Sequence, residues 1–313
     1  MATTDFSLEQ KRDIARRIKP ISLEDATEEF AKLCDIGPHL EDISERCRIG
    51  NNVVDYFTFA ERLETRGKYN TNYYEFVANM GYFTEKKFIR TMLNYYKREK
   101  NKNGKKNVWV VLKEVYNICI SPINIIRPLV YMEIYAKYQP LCVLDFCAGW
   151  GGAVTAAAAL NVPRYVGIEI NTDLREPYQR LCAFLQDQGT QTEMDLRFQD
   201  ALTVDYAAIE YDLVFTSPPY YFIQKYKHNK EYKKGKDEMD AVFYRPLFLS
   251  VYRHLKPGGH FILNVNQEVY NRVCVDLLGP AHETGIYKKS KRQNNYQETV
   301  YRWTKPASAS ASA

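Results

Sequence analysis

The segment DLVFTSPPYY, residues 212–221, places a hydroxyl residue, two consecutive prolines and two tyrosines directly after a short apolar run. The apolar run predicts a strand, and the two prolines end it because proline lacks a backbone N–H and has a fixed φ. The Ser217 hydroxyl and the Pro218 carbonyl are therefore stiffly held hydrogen-bond acceptors, with the rings of Tyr220 and Tyr221 close behind. Rigid acceptors at the carboxyl end of a strand predict a functional site.

A glycine-rich turn follows another apolar run, in VLDFCAGWGGAVTAAAAL. Gly149 and Gly151 let the backbone approach a ligand closely, and the helix that follows offers free N–H groups at its amino end. The spacing is not that of a Walker loop, and Val154 stands where the dinucleotide pattern has its third glycine. The turn predicts a nucleotide-like ligand without fixing its class.

Acidic residues stand at the ends of three successive apolar runs. Asp145 comes first, and Glu169 lies 24 residues further along the chain, where a carboxylate can accept both hydroxyls of a ribose. Asp200, after the third run, is placed to accept from the amino group of an adenine. Capping or surface roles are the alternatives for each carboxylate taken alone.

The elements that position these residues are apolar runs alternating with stretches long enough for helices. The runs are CVLDF (142–146), RYVGIEI (164–170), LRFQDA (196–201), YDLVFTS (211–217) and GHFILNVN (259–266). This alternation predicts an α/β fold with a parallel sheet, whose ligands lie at the carboxyl ends of the strands. A mainly helical domain over residues 1–120, expected to help bind nucleic acid, precedes it; the sheet domain covers 121–306, and a disordered tail covers 307–313.

Composition sets broad limits on the protein. The 313 residues carry a net charge of +5, and the pI is near 8.6. This mildly basic charge is compatible with a polyanionic partner but does not require one. Seven scattered cysteines without a CxxC pair predict reduced thiols, an intracellular protein and no metal site. No apolar run reaches the roughly 18 residues of a membrane span, and no signal peptide opens the chain, so no membrane partner is expected.

The order of glycine turn, two carboxylates and then Ser217, Pro218, Pro219 and Tyr220 resembles the S-adenosylmethionine-dependent methyltransferases that modify exocyclic amino groups of nucleobases. Their catalytic motif is (S/D/N)-P-P-(Y/F/W). The stretches SPINIIRPLVYMEIYAKYQPLCVLDFCAGWGG, GIEINTDLREPY and VVDYFTFAERLETRGKYN are further similar to DNA methyltransferases encoded by large eukaryotic DNA viruses. In those enzymes a GWGG turn replaces the commoner GSG.

The resemblance implies a Rossmann-like methyltransferase sheet, S-adenosylmethionine as cofactor, and DNA as the favoured partner. For a viral protein, the location would be the cytoplasm or nucleus of a host cell. It assigns cofactor binding to Asp145, Gly149, Trp150, Gly151, Glu169 and Asp200, and catalysis to Ser217, Pro218, Pro219 and Tyr220.

The implied chemistry is methylation of an exocyclic amino group. The Ser217 hydroxyl and the Pro218 carbonyl would accept the amino protons, and Tyr220 would stack on a base taken out of its helix. Serine in the first motif position leans slightly toward cytosine N4 over adenine N6. RNA methylation and a noncatalytic nucleic-acid-binding scaffold are the alternatives.

Several basic segments are candidates for contact with nucleic acid. Residues 223–236, IQKYKHNKEYKKGK, directly follow the motif and carry six lysines against one acidic residue; a solvated loop is the alternative. With Tyr221, the lysines expected to contact nucleic acid are Lys225, Lys227, Lys233 and Lys234. Residues 85–106 and 288–297 are also basic, and the aromatic residues between positions 55 and 83 are interpreted as a helical core rather than a stacking surface.

Arg127 lies in SPINIIRP, just before the first predicted strand. Related enzymes place an element there against the methionine end of the cofactor, so a bidentate contact between Arg127 and the cofactor carboxylate is expected. A structural ion pair is the alternative.

Overall fold

The computed structural model describes residues 6–41, 43, 47–121, 124–226, 228–287 and 298–307. Lys227, the basic segment 288–297 and residues 308–313 of the predicted tail lie outside the described residues. The helices are α1 (Leu8–Ile18), α2 (Leu23–Ile36), α3 (Asn51–Arg62), α4 (Tyr73–Ala78), α5 (Met80–Glu85), α6 (Lys87–Tyr95), α7 (Val108–Cys119), α8 (Pro128–Tyr138), α9 (Gly152–Ala159), α10 (Arg175–Asp187), α11 (Lys236–Met239), α12 (Arg245–His254), α13 (Gln267–Val269) and α14 (Val275–Leu278). Single helical turns lie at Lys68–Asn70, Tyr96–Lys100, Thr172–Leu174, Ala201–Thr203, Tyr206–Ala208, Asp240–Tyr244 and Tyr270–Cys274.

The described residues form a seven-stranded sheet in the order β3-β2-β1-β4-β5-β7-β6. Strands β1 to β5 are parallel, whereas β7 runs antiparallel to both β5 and β6. The bounds are β1 (Cys142–Asp145), β2 (Arg164–Glu169), β3 (Glu193–Phe198), β4 (Leu213–Thr216), β5 (His260–Val265), β6 (Glu283–Tyr287) and β7 (Glu298–Thr304). The predicted α/β class, a Rossmann-like sheet with surrounding helices, is confirmed.

The strand order reverses at β1. Its residue Val143 is in register with Tyr165 of β2 on one side and with Leu213 of β4 on the other. From there the chain extends to β2 and β3 in one direction and to β4 and β5 in the other. A reversal of this kind opens a crevice at the carboxyl ends of the two central strands.

Alternate residues of the central strands pack into two different cores. Val143 and Leu213 lie against helices α8, α9 and α10, while Leu144 and Val214 lie against α12 on the opposite face. Both faces are buried, so the strands are almost uniformly apolar, as expected for parallel strands. In β1 and β4 the polar residues Asp145 and Thr216 are the last of their strands.

The amino-terminal helices enclose a third core that is rich in aromatic rings. Tyr73, Phe76, Phe83 and Tyr116 are fully buried there, with Tyr116 stacked edge-on against Tyr73 at 5.7 Å between ring centroids. The interpretation of the aromatic residues as a helical core is confirmed for these side chains.

Helices α2 and α3 also pack on the sheet domain. Phe30 of α2 and Phe57 of α3 contact Phe184 of α10, with ring centroids 6.0 and 5.3 Å apart. The Ser22 hydroxyl caps α2 by accepting from the backbone N–H of Asp25, as its sequence predicts. The amino-terminal helices thus share one core with the sheet, and a division into folding units near residue 120 stays a prediction.

Candidate active site

A cavity of about 180 Å³ lies at the carboxyl ends of the central strands. Residues from the turn after β1, from the ends of β2 and β4 and from the segment after β3 line it. Among the residues predicted from the sequence, the lining includes Gly149, Trp150, Glu169, Asp200, Ser217 and Pro219. The fold therefore brings two groups of predicted residues, the carboxylates with the glycine turn and the start of the SPPY segment, to one cavity.

The glycine turn between β1 and α9 depends on backbone freedom. Gly151, the residue before α9, has φ of +93°, and a Cβ there would lie 2.6 Å from Cδ2 of Leu181. Only glycine fits both the left-handed backbone and this close approach. The carbonyl of Trp150 accepts from the Thr58 hydroxyl of α3 at 3.0 Å, so an amino-terminal helix supports the turn.

Glu169, the last residue of β2, is bonded to the glycine turn. Its Oε2 accepts from the backbone N–H of Gly149 at 2.8 Å, and its Oε1 accepts from that of Asn171 at 2.8 Å. Burial raises the pKa of Glu169 to about 7, even though these two bonds favour the charged form. Each oxygen keeps a second lone pair with which to accept from a ligand.

Asp145 lies beneath the turn rather than in the lining. It is fully buried, and its carboxylate accepts from the backbone N–H of Cys147 and from the Tyr165 hydroxyl, both at 3.2 Å. Burial raises the pKa of Asp145 to about 6. Of the two residues, Glu169 borders the cavity, and Asp145 holds the first residues of the turn.

Asp200 forms an ion pair with Lys230 in this structure. Its Oδ1 accepts from the backbone N–H of Leu202 at 3.0 Å, and the Nζ atom of Lys230 lies 2.5 Å from its Oδ2. Asp200 is thus the cap of the helical turn Ala201–Thr203 and, at the same time, a carboxylate facing the cavity.

Ser217 is the first residue after β4, and its hydroxyl belongs to a short relay. Its Oγ lies 2.9 Å from the hydroxyl oxygen of Tyr220, which in turn donates to Oδ1 of Asn264 at 2.9 Å. A tyrosine hydroxyl has one proton, so Ser217 must be the donor to Tyr220. The lone pairs of Ser217 Oγ consequently remain as acceptors.

Asn264 was not identified from the sequence. It is fully buried next to the carboxyl end of β5, and its side-chain nitrogen is among the buried atoms without a hydrogen-bond partner in the described part of the chain. The signal for it was present, because an amide inside the apolar run FILNV is unusual for a strand buried on both faces.

The two prolines and Tyr221 are arranged by tyrosines and by an acidic residue. Pro218 is buried, and the carbonyl of Pro219 accepts from the Tyr244 hydroxyl. Tyr221 is only 4% exposed, with φ of +49°, and its hydroxyl donates to Asp240 at 2.7 Å. A ring enclosed in this way has no face for a base, so the prediction of a nucleic-acid contact by Tyr221 is corrected: it is a core residue.

Arg127 is not brought to the cavity. It precedes α8, and its guanidinium Nη1 donates to the carbonyl of Cys47 at 2.6 Å. Its neighbours Ile125 and Ile126 line the cavity in its place. The predicted contact with a cofactor carboxylate therefore has no support from the position of this side chain.

The lysine-rich loop, residues 223–236, folds over the cavity. Four of its residues are in the lining, namely Tyr226, Asn229, Lys230 and Tyr232. The rings of Tyr226 and Trp150 are 6.3 Å apart. The sequence predicted contact of this loop with nucleic acid and did not predict that it lines the cavity. Lys225, Lys233 and Lys234 are exposed, as contact with nucleic acid requires.

Cys147 also lines the cavity, which raises the question of a thiol nucleophile, and a metal site is a second possibility to consider. Burial raises the pKa of the Cys147 thiol well above its usual range, and Glu169 and Asp145 add to the rise, so this thiol stays protonated. Among the residues that the structure describes, no group of three His, Cys, Asp or Glu side chains is arranged to hold a metal ion. Over the same residues, no helix is both long and apolar enough to cross a membrane.

Comparisons with known proteins give structural likenesses only. No family model and no curated protein matches the chain. Among solved structures, TrmN from Thermus thermophilus is 16% identical over 57% of this chain and 48% of its own, with a TM-score of 0.41. This chain therefore spans about half of TrmN.

Two further solved structures show similar values. A methyltransferase homolog protein from Pyrococcus horikoshii is 14% identical over 56% of this chain and 66% of its own, with a TM-score of 0.41. An RNA methyltransferase from Salinibacter ruber, in complex with S-adenosyl-L-homocysteine, is 17% identical over 56% of this chain and 90% of its own, with a TM-score of 0.36.

Proposed function

We propose that the protein transfers a methyl group from S-adenosylmethionine to an exocyclic amino group of a DNA base, cytosine N4 or adenine N6. One observation carries the proposal: Ser217 and Pro219 line the same cavity as Glu169 and Asp200. A cofactor site and an acceptor for an amino group are thereby next to each other, which is what direct transfer requires.

The residues of the cavity suit an adenosyl cofactor. Glu169 provides carboxylate oxygens for ribose hydroxyls, and Asp200 provides an acceptor for an amino group of adenine. Both groups are negative or can become so, which favours a cationic ligand. When bound, S-adenosylmethionine supplies a methyl group on a positively charged sulfur, open to direct displacement. The two carboxylates and the glycine turn would hold it.

The SPPY segment would hold the amino group that is methylated. An exocyclic amino nitrogen is conjugated with its ring, so its lone pair becomes available only when acceptors draw on its protons. The Ser217 hydroxyl donates its proton to Tyr220, so its Oγ can accept an amino proton with its lone pairs. The Pro218 carbonyl, fixed by the ring of its own residue and of the next proline, is proposed as the second acceptor, although Pro218 is buried and the lining contains Ser217 and Pro219.

In this arrangement Tyr220 acts mainly through its hydroxyl. The side chain is half-buried and packs on the core below the sheet edge, and it is not part of the cavity lining. Stacking on the base would then fall to aromatic residues that do line the cavity, such as Tyr232 and Phe243.

The test is incubation of the full-length protein with cofactor labelled in its methyl group, together with DNA and RNA of matched sequence. Nucleoside mass spectrometry then identifies the product. We expect N4-methylcytosine or N6-methyladenine in DNA, and about a hundredfold less product from Ser217→Ala. If label is found only in RNA, the substrate is RNA and not DNA. If calorimetry detects no binding of the cofactor, the whole proposal is refuted.

A further inference from the structure

Two tyrosines of the amino-terminal helices lie outside the aromatic core. Tyr69 and Tyr82 are each 41% exposed, whereas their neighbours Tyr73, Phe76 and Phe83 are fully buried. The ammonium group of Lys86 lies 4.8 Å from the ring centre of Tyr69 and 4.3 Å from that of Tyr82. Lys68 lies 5.2 Å from the ring centre of Tyr69. We call these four residues, Lys68, Tyr69, Tyr82 and Lys86, the Tyr69–Tyr82 face.

The two lysines of this face, and two basic residues beside it, have no acidic partner among the residues that the structure describes. Lys68 and Lys86, and Lys87 and Arg90 at the start of α6, form no ion pair with any residue that the structure describes. By contrast, Arg66 close by is paired with Glu75. Exposed rings combined with unpaired positive charges are complementary to a ligand that has both flat apolar surfaces and negative groups.

The backbone holds Tyr69 in an unusual conformation. Its φ is +62° and that of Asn70 is +51°, a region that a bulky aromatic residue rarely occupies. The turn is fixed by the backbone bond from Asn70 to the Gly67 carbonyl at 3.1 Å and by a bond from the Arg66 guanidinium to the Asn70 carbonyl at 2.7 Å. A strained residue kept in place by its surroundings is more typical of a functional position than of a solvated turn.

The face also lies close to the mouth of the cavity. The backbone of Arg66 pairs with that of Lys225 through two hydrogen bonds of 2.9 and 3.0 Å. Tyr69 is three residues from this pairing, which corresponds to at most about 10 Å of chain. Tyr226, on the other side, borders the cavity. A strand of nucleic acid on the face would thus lie within reach of the candidate active site.

From these observations we infer that the Tyr69–Tyr82 face binds unpaired bases of a nucleic-acid strand whose target base enters the cavity. The class of partner rests on the proposed function. Paired bases of a duplex expose only their edges, so rings of this kind stack on single-stranded segments. The lysines would lie along the phosphates that connect the stacked bases.

The experiment compares binding of a fluorescent single-stranded oligonucleotide and of the corresponding duplex by anisotropy, with full-length protein. Tyr69→Ala combined with Tyr82→Ala is expected to weaken single-strand binding about tenfold or more, and duplex binding much less. Tyr69→Phe with Tyr82→Phe keeps both rings and should restore the affinity. Lys68→Gln with Lys86→Gln should reduce the salt dependence of single-strand binding, by about 0.7 in log–log slope for each lost phosphate contact.

Lys137→Gln with Lys256→Gln is the control for charge, since it also removes two lysines, and both precede the amino ends of strands (β1 and β5), whereas the cavity lies at the carboxyl ends. Equal losses for single strand and duplex in the alanine variant, or unchanged binding, would overturn the inference. Cofactor binding and base methylation by the wild type are measured in parallel. If the wild type methylates DNA but the Tyr69–Tyr82 variants bind single strands normally, only the inference is refuted. If the variants lose single-strand binding but the wild type methylates neither DNA nor RNA, only the proposed function is refuted.

Discussion

The ammonium group of Lys230 lies 2.5 Å from Oδ2 of Asp200. The lysine comes from the loop above the cavity, and the aspartate comes from the segment after β3 that borders it. The pair therefore occupies the carboxylate that is proposed to accept the adenine amino group. Under the proposed function, Lys230 and the adenine amino group compete for the same carboxylate.

Lys230→Gln should bind the cofactor more tightly than the wild type. The lysine side chain is 55% exposed, and exposed ion pairs contribute about 0.2–1 kcal/mol, so the gain should be no more than about fivefold. Calorimetric titration of the two proteins measures it, with Lys233→Gln, which changes an exposed lysine of the same loop outside the cavity lining, as the control. Weaker binding by Lys230→Gln would mean that this lysine helps to hold the cofactor.

Glu169→Ala should weaken cofactor binding about tenfold to a hundredfold, the range for losing hydrogen bonds to a charged group. It also removes the acceptor of the Gly149 and Asn171 N–H groups, so a lower melting temperature is expected. Asp195→Asn, which alters a carboxylate of β3 that is paired with Arg164 and Arg197, is the control. Unchanged calorimetric affinity in Glu169→Ala would contradict its role.

Tyr220→Phe should lower turnover about a hundredfold while cofactor affinity stays unchanged. It removes the hydroxyl that directs the Ser217 proton, and loss of one preorganised polar group typically has an effect of this size. Ser217→Ala should do the same. Tyr211→Phe is a matched control, because it deletes a buried hydroxyl bonded to the Val251 carbonyl on another part of the sheet. Full turnover in Tyr220→Phe would show that the ring, not the hydroxyl, matters.

The stability of the protein should depend on the ionisation of Glu169. Burial raises its pKa to about 7 from an ordinary value of 4.5, so the folded state binds this proton more tightly than the unfolded state does. The resulting stabilisation is complete below pH 4.5 and is lost as the pH rises through about 7. Relative to Glu169→Gln, the wild type should therefore melt at progressively lower temperature over this range.

Thermal denaturation of both proteins at a series of pH values is the measurement. Glu169→Gln keeps Asp145, whose pKa burial also raises, so the difference between the two curves isolates Glu169. Parallel curves across the range would show that the carboxyl group titrates as it does in the unfolded chain.

Replacement of the exposed loop lysines Lys225, Lys233 and Lys234 by glutamine should weaken nucleic-acid binding and flatten its dependence on salt. For a duplex, each lost phosphate contact should reduce the log–log slope by about 0.9. Cofactor affinity should be unaffected, because none of the three lines the cavity. An unchanged slope would leave these lysines as a solvated part of the loop.

The positions of Glu169, Asp200 and Ser217 were predictable because the carboxyl ends of neighbouring parallel strands meet at one edge of a sheet. That argument uses only the order of strands along the chain. Tyr221 was mispredicted because its burial depends on Tyr244 and Asp240, which reach it through tertiary packing. The sequence neighbourhood of Tyr221, next to a surface loop, gave no sign of this.

The position of the lysine-rich loop could not be predicted for a related reason. Its composition indicates a solvated, positively charged segment, and this is accurate for Lys225, Lys233 and Lys234. What places it over the cavity is a pairing with Arg66, more than 150 residues earlier in the chain, and an ion pair with Asp200. Contacts between residues so far apart depend on the complete fold rather than on a local pattern.

The pairing of Arg66 with Lys225 is one of two attachments of the lysine-rich loop. The loop is fastened there at one end, and at the other end the Lys236 ammonium group contacts both carboxylate oxygens of Glu268 at 2.6 and 2.7 Å. In a segment attached at both ends, the residues farthest from the attachments can be displaced most. Lys230 lies near the middle of the loop. We therefore expect Lys230, the residue that covers Asp200, to be able to leave the cavity while both attachments of the loop remain formed.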